Sequence, residues 1–428
     1  MKLLLRRARV VDPSQSLDGE LDILIEDGII ARVEKDIKPG NTDVHTTDLR
    51  GMVVTPGLID LHTHLREPGF EYKETVQTGS EAACAGGFTA IACMANTNPV
   101  NDNRSVTEFI RRKATETNLV RIYPVAAITS KLEGKTLTEF WDLKTAGAVA
   151  LSDDGKSVKD SALMRCALEY AYSLDMPVLS HCEDPYLSSG GVMNEGFIST
   201  ETGLPGIPSI AEDIIVARDI MLCGFTRTAI HIAHVSTKGA ILYIREAKKR
   251  GVRVTAETAP HYFSLTEEAL TDFDVNAKVY PPLRRKEDVA AVKEALRDGT
   301  IDAIASDHAP HASTDKDVEF EYAATGLIGM ETSLALSLRL VEEGVLSLDQ
   351  LIMKMSTGPA AILKVQGGTL KPGSPADLTV IDMNRTWTVD KEQFRSKSRN
   401  TPFHGWTMKG KAVMTIMGGA ITFNDLTS

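Results

Sequence analysis

In the stretch DLHTHLREPG, residues 60–69, two imidazoles stand two positions apart at His62 and His64, and Arg66 follows two further on. The preceding MVVTPGLID is β-branched and apolar and reads as a buried strand. Residues i and i+2 of a strand face the same side, so the two imidazoles project together near the strand's end. Such a pair starts a metal site or belongs to two ordinary loop histidines; the rest of the chain has to decide. Other residues able to bind a metal or move a proton recur at the ends of apolar runs. Asn96 lies in GFTAIACMANT, Asp153 and Asp154 in GAVALSDD, and His181 in MPVLSHCED. His234 lies in RTAIHIAHVST, and Asp307, His308 and His311 lie in IDAIASDHAPH. Brought together, His62, His64, His181, His234, Asp154 and Asp307 match a site for zinc or a similar divalent ion.

Each residue also has a plainer role open to it. Asp153-Asp154-Gly155 suits a turn. His181 suits a core histidine, Asp307 a helix cap, and Arg66 a salt bridge to Glu67. His231 and His234 are three apart in one run and should face different sides. His234, nearer the end, is the ligand candidate, and His231 is expected to be structural. His45 and His404 lie in β-rich ends and are expected at the surface.

The elements that must position these residues alternate in type. Between residues 56 and 364, eight strand-like runs begin with PGLIDLHTHL and end with IDAIASDHAPH. Amphipathic segments such as SVTEFIRRKATET and KEDVAAVKEALRDG separate them. Eight βα units predict a (β/α)8 TIM barrel, whose strand ends share one mouth. A doubly wound open sheet is the alternative, weakened because no Gly-rich phosphate loop follows the early strands. Residues 1–55 and 365–428 read as short strands. Asp27-Gly28 and Gly418-Gly419 mark hairpin turns, and ADLTVIDM and TWTVD read as separate strands. Each end is too small for a good core, so a single β-sandwich built from both, flanking the barrel of residues 56–364, is expected.

Of the 428 residues, 43% are apolar and 25% charged, as in soluble globular proteins. A net charge of −11 argues against nucleic acid or an anionic membrane as partner. The five cysteines are odd in number and include no C-x-x-C pair, which argues against a disulfide framework or a structural zinc knuckle and fits a cytoplasmic protein. The three-Leu run of MKLLLRRARVVD is too short for a signal peptide, and no stretch approaches a membrane span.

DLHTHLREPG, GGFTAIACMANTNP, LSDDG, SHCED, HIAHVST, AETAPHY, PPLR and IASDHAPH together resemble the cyclic amidohydrolases of the amidohydrolase superfamily. Within them the chain looks most like the type I dihydroorotases, over nearly its whole length. The resemblance implies a TIM barrel, a β-sandwich from the chain ends, and one or two zinc ions. It implies that His62, His64 and Asp307 hold a first metal, that His181 and His234 hold a second, and that Asp154 bridges them. Hydantoinases and allantoinases carry a carboxylated Lys at that bridge; here no Lys stands at the matching place, Lys156 two residues later leaves that alternative open, and Asp154 favours the dihydroorotase reading. Arg66, Asn96 and His311 would hold the substrate, with the Arg66 fork matched to a carboxylate. The implied reaction is reversible closure of N-carbamoyl-L-aspartate to (S)-dihydroorotate in pyrimidine biosynthesis. Metal-bound hydroxide would attack the ring amide, with Asp307 as proton shuttle.

Two departures stand out. Tyr280 replaces the Asn that precedes PPLR in the family and contacts substrate, and EYAATGLIG replaces the usual Pro-containing loop after His311. The rivals are another cyclic amidohydrolase (hydantoinase, dihydropyrimidinase or allantoinase) and a non-catalytic subunit supporting aspartate transcarbamoylase. A homodimer is the expected state, and an active enzyme would be compatible with association with aspartate transcarbamoylase.

Overall fold

The computed structural model describes residues 2–38 and 44–426. Eight parallel strands run through its centre: Leu58–Thr63, Phe88–Cys93, Arg121–Ala126, Ala150–Leu151, Leu179–Ser180, Ala229–Ile232, Arg253–Thr258 and Ala303–Ile304. They form two hydrogen-bonded arcs of four. A bridge between Leu151 and Val178 joins the arcs on one side, and a bridge between Thr63 and His308 closes the ring on the other. The closed barrel, not the open sheet, is therefore the fold.

Its strands are buried on both faces, which is why they read as continuous apolar runs. Ile59, Leu61, Ala90, Ala92, Val125, Leu179 and Ala303 fill the barrel interior. The outer faces pack against helices whose apolar residues recur every three or four positions. In the helix Ser161–Ser173 these are Met164, Ala167, Leu168 and Ala171, and Asp160 caps its first turn. Asn103 caps the helix Arg104–Thr117 in the same way, through Ser105 N and Val106 N.

The two chain ends share one eight-stranded sheet. Leu378–Ile381 runs antiparallel to Val53–Pro56, pairing Val380 with Val54. Leu5, Val10, Ile25, Val54, Val380 and Ile416, drawn from both ends, form one apolar cluster. Both expected turns are present. Asp27 and Gly28 have φ of 49° and 82°, and Gly418 and Gly419 have φ of 57° and 79°, the left-handed pairs that a two-residue hairpin requires. The turns also touch: a Cβ on Gly28 would lie 2.8 Å from the Gly418 carbonyl oxygen. ADLTVIDM and TWTVD prove to be one strand, Leu378–Thr388, with a register shift between Asp382 and Thr386. There the Asp382 carboxylate accepts from Asn384 N and Arg385 N and lets the strand continue past the irregularity.

Thr379 and Thr415 fasten the sheet to the barrel by donating to the carbonyls of Gly87 and Cys84, at 2.6 and 2.7 Å. Residues 389–406 leave the sheet. Val389, Phe394 and Phe403 pack with Tyr262, Leu283, Phe320 and Leu327 from segments that follow the barrel strands. Among the described residues, no helix is long and apolar enough to cross a membrane.

Candidate active site

The six proposed ligands converge at the barrel mouth, all buried. Asp154 stands in the middle. Its Oδ1 lies 3.2 Å from His62 Nε2, 3.4 Å from His234 Nε2 and 3.6 Å from His181 Nδ1, and its Oδ2 lies 3.5 Å from His64 Nε2. Asp307 Oδ1 is 3.4 Å from His64 Nε2 and 3.7 Å from His62 Nε2. His181 Nδ1 and His234 Nε2 face each other at 2.8 Å. His181 and Asp307 face this cluster, whereas Asp154 has both roles, facing the histidines from a turn at Asp154-Gly155 in which Lys156 N donates to Asp153 O at 2.8 Å. Asp153 takes a structural part, accepting from Thr129 N at 2.9 Å. Lys156 is exposed and lies outside the cluster.

Arg66, His234 and Asp307 have φ of 63°, 37° and 48°. For residues with a side chain this left-handed region costs about 1–3 kcal/mol each. Such outliers persist where surrounding structure over-determines them, and here they gather at one mouth.

Burial opposes charge in the cluster; it lowers the pKa of His64, while at other groups the neighbours overcome it. Asp154, His62 and Asp307 are the main examples. The three histidines around Asp154 hold its carboxyl well below the ordinary range. Asp154, Glu257 and Asp307 raise His62 well above its ordinary value. His64 and His62 bring Asp307 down to about 2, so it is a carboxylate at neutral pH.

Several residues that sequence reasoning missed hold this arrangement. Glu257, on the seventh strand, takes His62 Nδ1 at 3.0 Å and faces His231 Nε2 at 3.4 Å. His231 is buried, and its Nδ1 lies 2.9 Å from Thr255 Oγ1. Asp60, within the opening motif, accepts from His62 N at 3.2 Å and Ser306 N at 3.0 Å and so ties the first strand to the eighth. His261, just past the end of the seventh strand, is buried with neither ring nitrogen hydrogen-bonded. Burial lowers its pKa to about 4, which keeps it neutral. The one available signal was a charged residue inside a buried run: Glu257 in VRVTAET and Asp60 in PGLID.

The residues expected at the substrate lie around this core. Asn96 Oδ1 is 2.9 Å from His64 Nδ1 and so orients that ring. Arg66 donates from Nε to the Pro310 carbonyl at 3.1 Å, and among the described residues no carboxylate pairs with it. Glu67, its alternative partner, is taken by Lys113 at 3.3 Å and by Val76 N at 2.8 Å. Gly69 then turns the chain at φ 96°, where a Cβ would collide with the Asn98 carbonyl.

His311 lies beside Arg66, its Nε2 3.3 Å from Nη2. That nitrogen donates to the Thr325 carbonyl at 2.9 Å, and Nδ1 accepts from Lys73 at 3.2 Å. Burial and then the charges of Arg66 and Lys73 push the His311 pKa down to about 2. Asn400, from residues 389–406, accepts from His311 N at 3.1 Å and donates to Ala309 O and Gly326 O at 3.0 Å. It thereby fixes the altered loop against the eighth strand. Tyr280 donates its hydroxyl to Glu183, and its ring stacks on His181 at 6.2 Å. His181, Glu183 and Tyr280 line a cleft of about 610 Å³ together with Lys135, Lys156 and Lys159. His45 and His404 are exposed, as expected.

The model of the Dihydro-orotase-like family matches residues 51–240, and that of the Amidohydrolase family matches residues 224–423. A dihydroorotase of Syntrophus aciditrophicus (strain SB) is 60% identical over 425 residues, spanning 99% of this chain and 100% of that one. The chain belongs to the dihydroorotase family. A family member from Geobacter metallireducens is 57% identical, over 99% of this chain and 100% of its own. Among solved structures, the L-hydantoinase (dihydropyrimidinase) from Arthrobacter aurescens superposes with a TM-score of 0.87 at 25% identity, over 99% of this chain and 96% of that one. The dihydropyrimidinase from Brevibacillus agri NCHU1002 superposes with a TM-score of 0.86, also at 25% identity, over 99% and 95% of the two chains.

As expected of an amidohydrolase, the cluster fits a metal ion. His62, His64 and Asp154 offer one set of ligand atoms within 4.8 Å of one another, and Asp154, His181 and His234 offer another. His62 Nε2 and Asp154 Oδ1 are buried without a hydrogen-bond partner. Buried polar atoms are normally satisfied. A cation between imidazole nitrogens and carboxylate oxygens satisfies these two at once.

Proposed function

We propose that the chain is a dihydroorotase that interconverts N-carbamoyl-L-aspartate and (S)-dihydroorotate at the barrel mouth, with one or two zinc ions. The observation that carries this reading is Arg66, a guanidinium without a carboxylate partner among the described residues, beside a His/Asp cluster, in a chain 60% identical to a dihydroorotase over its full length. Both reactants carry a carboxylate, which a guanidinium binds through two parallel hydrogen bonds.

In this reading His62 and His64 hold one zinc with Asp307, His181 and His234 hold the other, and Asp154 reaches both. A zinc ion held there would supply a lowered pKa for water and polarisation of the ring carbonyl. Asp307, held as a carboxylate, takes the proton of the attacking water and delivers it to the ring nitrogen as the amide opens; closure runs the same transfers backward. Arg66 binds the substrate carboxylate, Asn96 and His311 complete that subsite, and Tyr280 borders the ring at the position where the resemblance implies Asn. The barrel of residues 56–364 is the catalytic unit, and residues 1–55 with 365–428 form the flanking β unit. A cytoplasmic location fits the five unpaired cysteines. A homodimer, able to associate with aspartate transcarbamoylase, is the assembly assigned to it.

The test is zinc content and turnover on one preparation, with dihydroorotate, hydantoin, dihydrouracil and allantoin side by side. Dihydroorotate should be hydrolysed far faster than the others. Preference for any of the other three would replace this reading with that cyclic amidohydrolase, and zinc-free inactive protein from a metal-replete preparation would favour a supporting subunit.

A further inference from the structure

The two halves of the metal centre are not held alike. On one side each histidine has its outward nitrogen engaged. His62 Nδ1 meets the buried Glu257 carboxylate at 3.0 Å, and His64 Nδ1 meets Asn96 Oδ1 at 2.9 Å. The other Glu257 oxygen faces His231 Nε2 at 3.4 Å without a hydrogen bond, and His231 Nδ1 is 2.9 Å from Thr255 Oγ1. Three further contacts lock the backbone there, from His64 N to His308 O at 2.9 Å and from the Asp60 carboxylate to His62 N and Ser306 N. On the other side the outward nitrogens are unengaged. His234 Nδ1 is buried with no partner, and the outward nitrogen of His181 has none among the described residues. His234 also sits at φ 37°.

An imidazole binds a metal through one nitrogen best when the other donates to a fixed acceptor, because that selects the tautomer, fixes the ring and raises its basicity. A carboxylate acceptor does this more strongly than an amide oxygen. We infer that Glu257 is a positioning residue that makes the His62/His64 half the tight metal position, and that the His181/His234 half, which lacks such support, binds the second ion loosely. The inference rests on the proposed zinc centre but not on the reaction assigned to it. It yields an enzyme whose second ion exchanges with its surroundings while the first stays bound.

The experiment is a zinc titration of the full chain in a graded chelator buffer, counting bound zinc per chain without substrate. The parent should fill in two separated steps. Glu257→Gln should move the tighter step to about 10–100-fold higher free zinc and leave the looser step where it was. His181→Ala should abolish only the looser step. Two equal steps in the parent, or a Glu257→Gln shift of both steps or of neither, would overturn the inference. If Glu257→Gln does not fold by circular dichroism, Asn96→Ala should shift the tighter step alone, by a smaller factor, and a shift of the looser step would count against the inference equally. Two unequal steps without dihydroorotate turnover would sink the proposed reaction and keep this inference; turnover with equal steps would do the reverse.

Discussion

The barrel mouth and the composite terminal sheet are both buried, yet they solve opposite problems. The sheet buries Leu5, Val10, Ile25, Val54, Val380 and Ile416 among themselves, and its stabilisation is that of apolar area removed from water. The mouth buries imidazoles and carboxylates, each of which burial alone would neutralise. Buried side-chain atoms without a partner divide the same way. His62, Asp154, Glu183, His234 and both nitrogens of His261 contribute to the mouth, whereas among the described residues the terminal sheet contributes only Arg6 Nε, 3.5 Å from an Asp22 oxygen. Unsatisfied buried polarity is concentrated where chemistry is to be done; left-handed backbone is not, since the terminal strands and turns carry it at Arg7, Ser16, Asp27 and Asp36 and the mouth at Arg66, His234 and Asp307. One region stabilises; the other is held in place by stability generated elsewhere.

The strongest way to break this division is at Asp307. Asp307→Asn should lower kcat by about 10³-fold, within the range for a lost general acid–base, while most zinc stays bound; steady-state kinetics with metal analysis checks both. Near-parent turnover would remove Asp307 from the chemistry. Ile25→Ala probes the other region. Ile25 is 1% exposed, and truncating it should lower stability by about 2–5 kcal/mol, read by denaturant unfolding, with kcat per folded molecule unchanged. A fall in kcat would mean the sheet shapes the mouth more directly than the contrast allows.

Arg66→Met should raise KM for dihydroorotate about 10–100-fold, the equivalent of a lost charged hydrogen bond, with a smaller change in kcat. An unaltered KM would place the substrate carboxylate elsewhere.

The smallest effect concerns Glu331, a carboxylate outside the mouth. Burial pushes its pKa up to about 7, although Arg395 N and Ser396 N donate to it. The folded chain therefore holds this proton more tightly than the unfolded chain. Its stabilising contribution is full below the ordinary value of 4.5 and is lost as pH rises through about 7. Between pH 5 and 7 the parent should lose more of its melting temperature than Glu331→Gln does. Parallel melting curves would show that buried carboxyl chemistry outside the mouth leaves stability untouched.

Much of the site was legible because the fold places strand ends together. A histidine at the end of an apolar run marks its own position, so His62, His64, His181 and His234 could be read one run at a time. Glu257 could not. It sits in a strand that reads as ordinary, and its significance is a contact with a residue 195 positions away. Asn400 was hidden differently. It lies between two strands of the terminal sheet, in a segment with no periodicity, and only tertiary packing carries that segment across to His311.

The sequence by itself determined the repeating βα units, the two hairpin turns and the types of residue at the strand ends, because these depend on local periodicity and backbone preference. Tertiary structure alone decided which Asp of Asp153-Asp154 faces the histidines, which partner Glu67 takes, and which histidines have their outward nitrogens engaged. Those outcomes depend on groups that meet only when the barrel closes, through Leu151 with Val178 and Thr63 with His308. No local pattern encodes the partner across that closure.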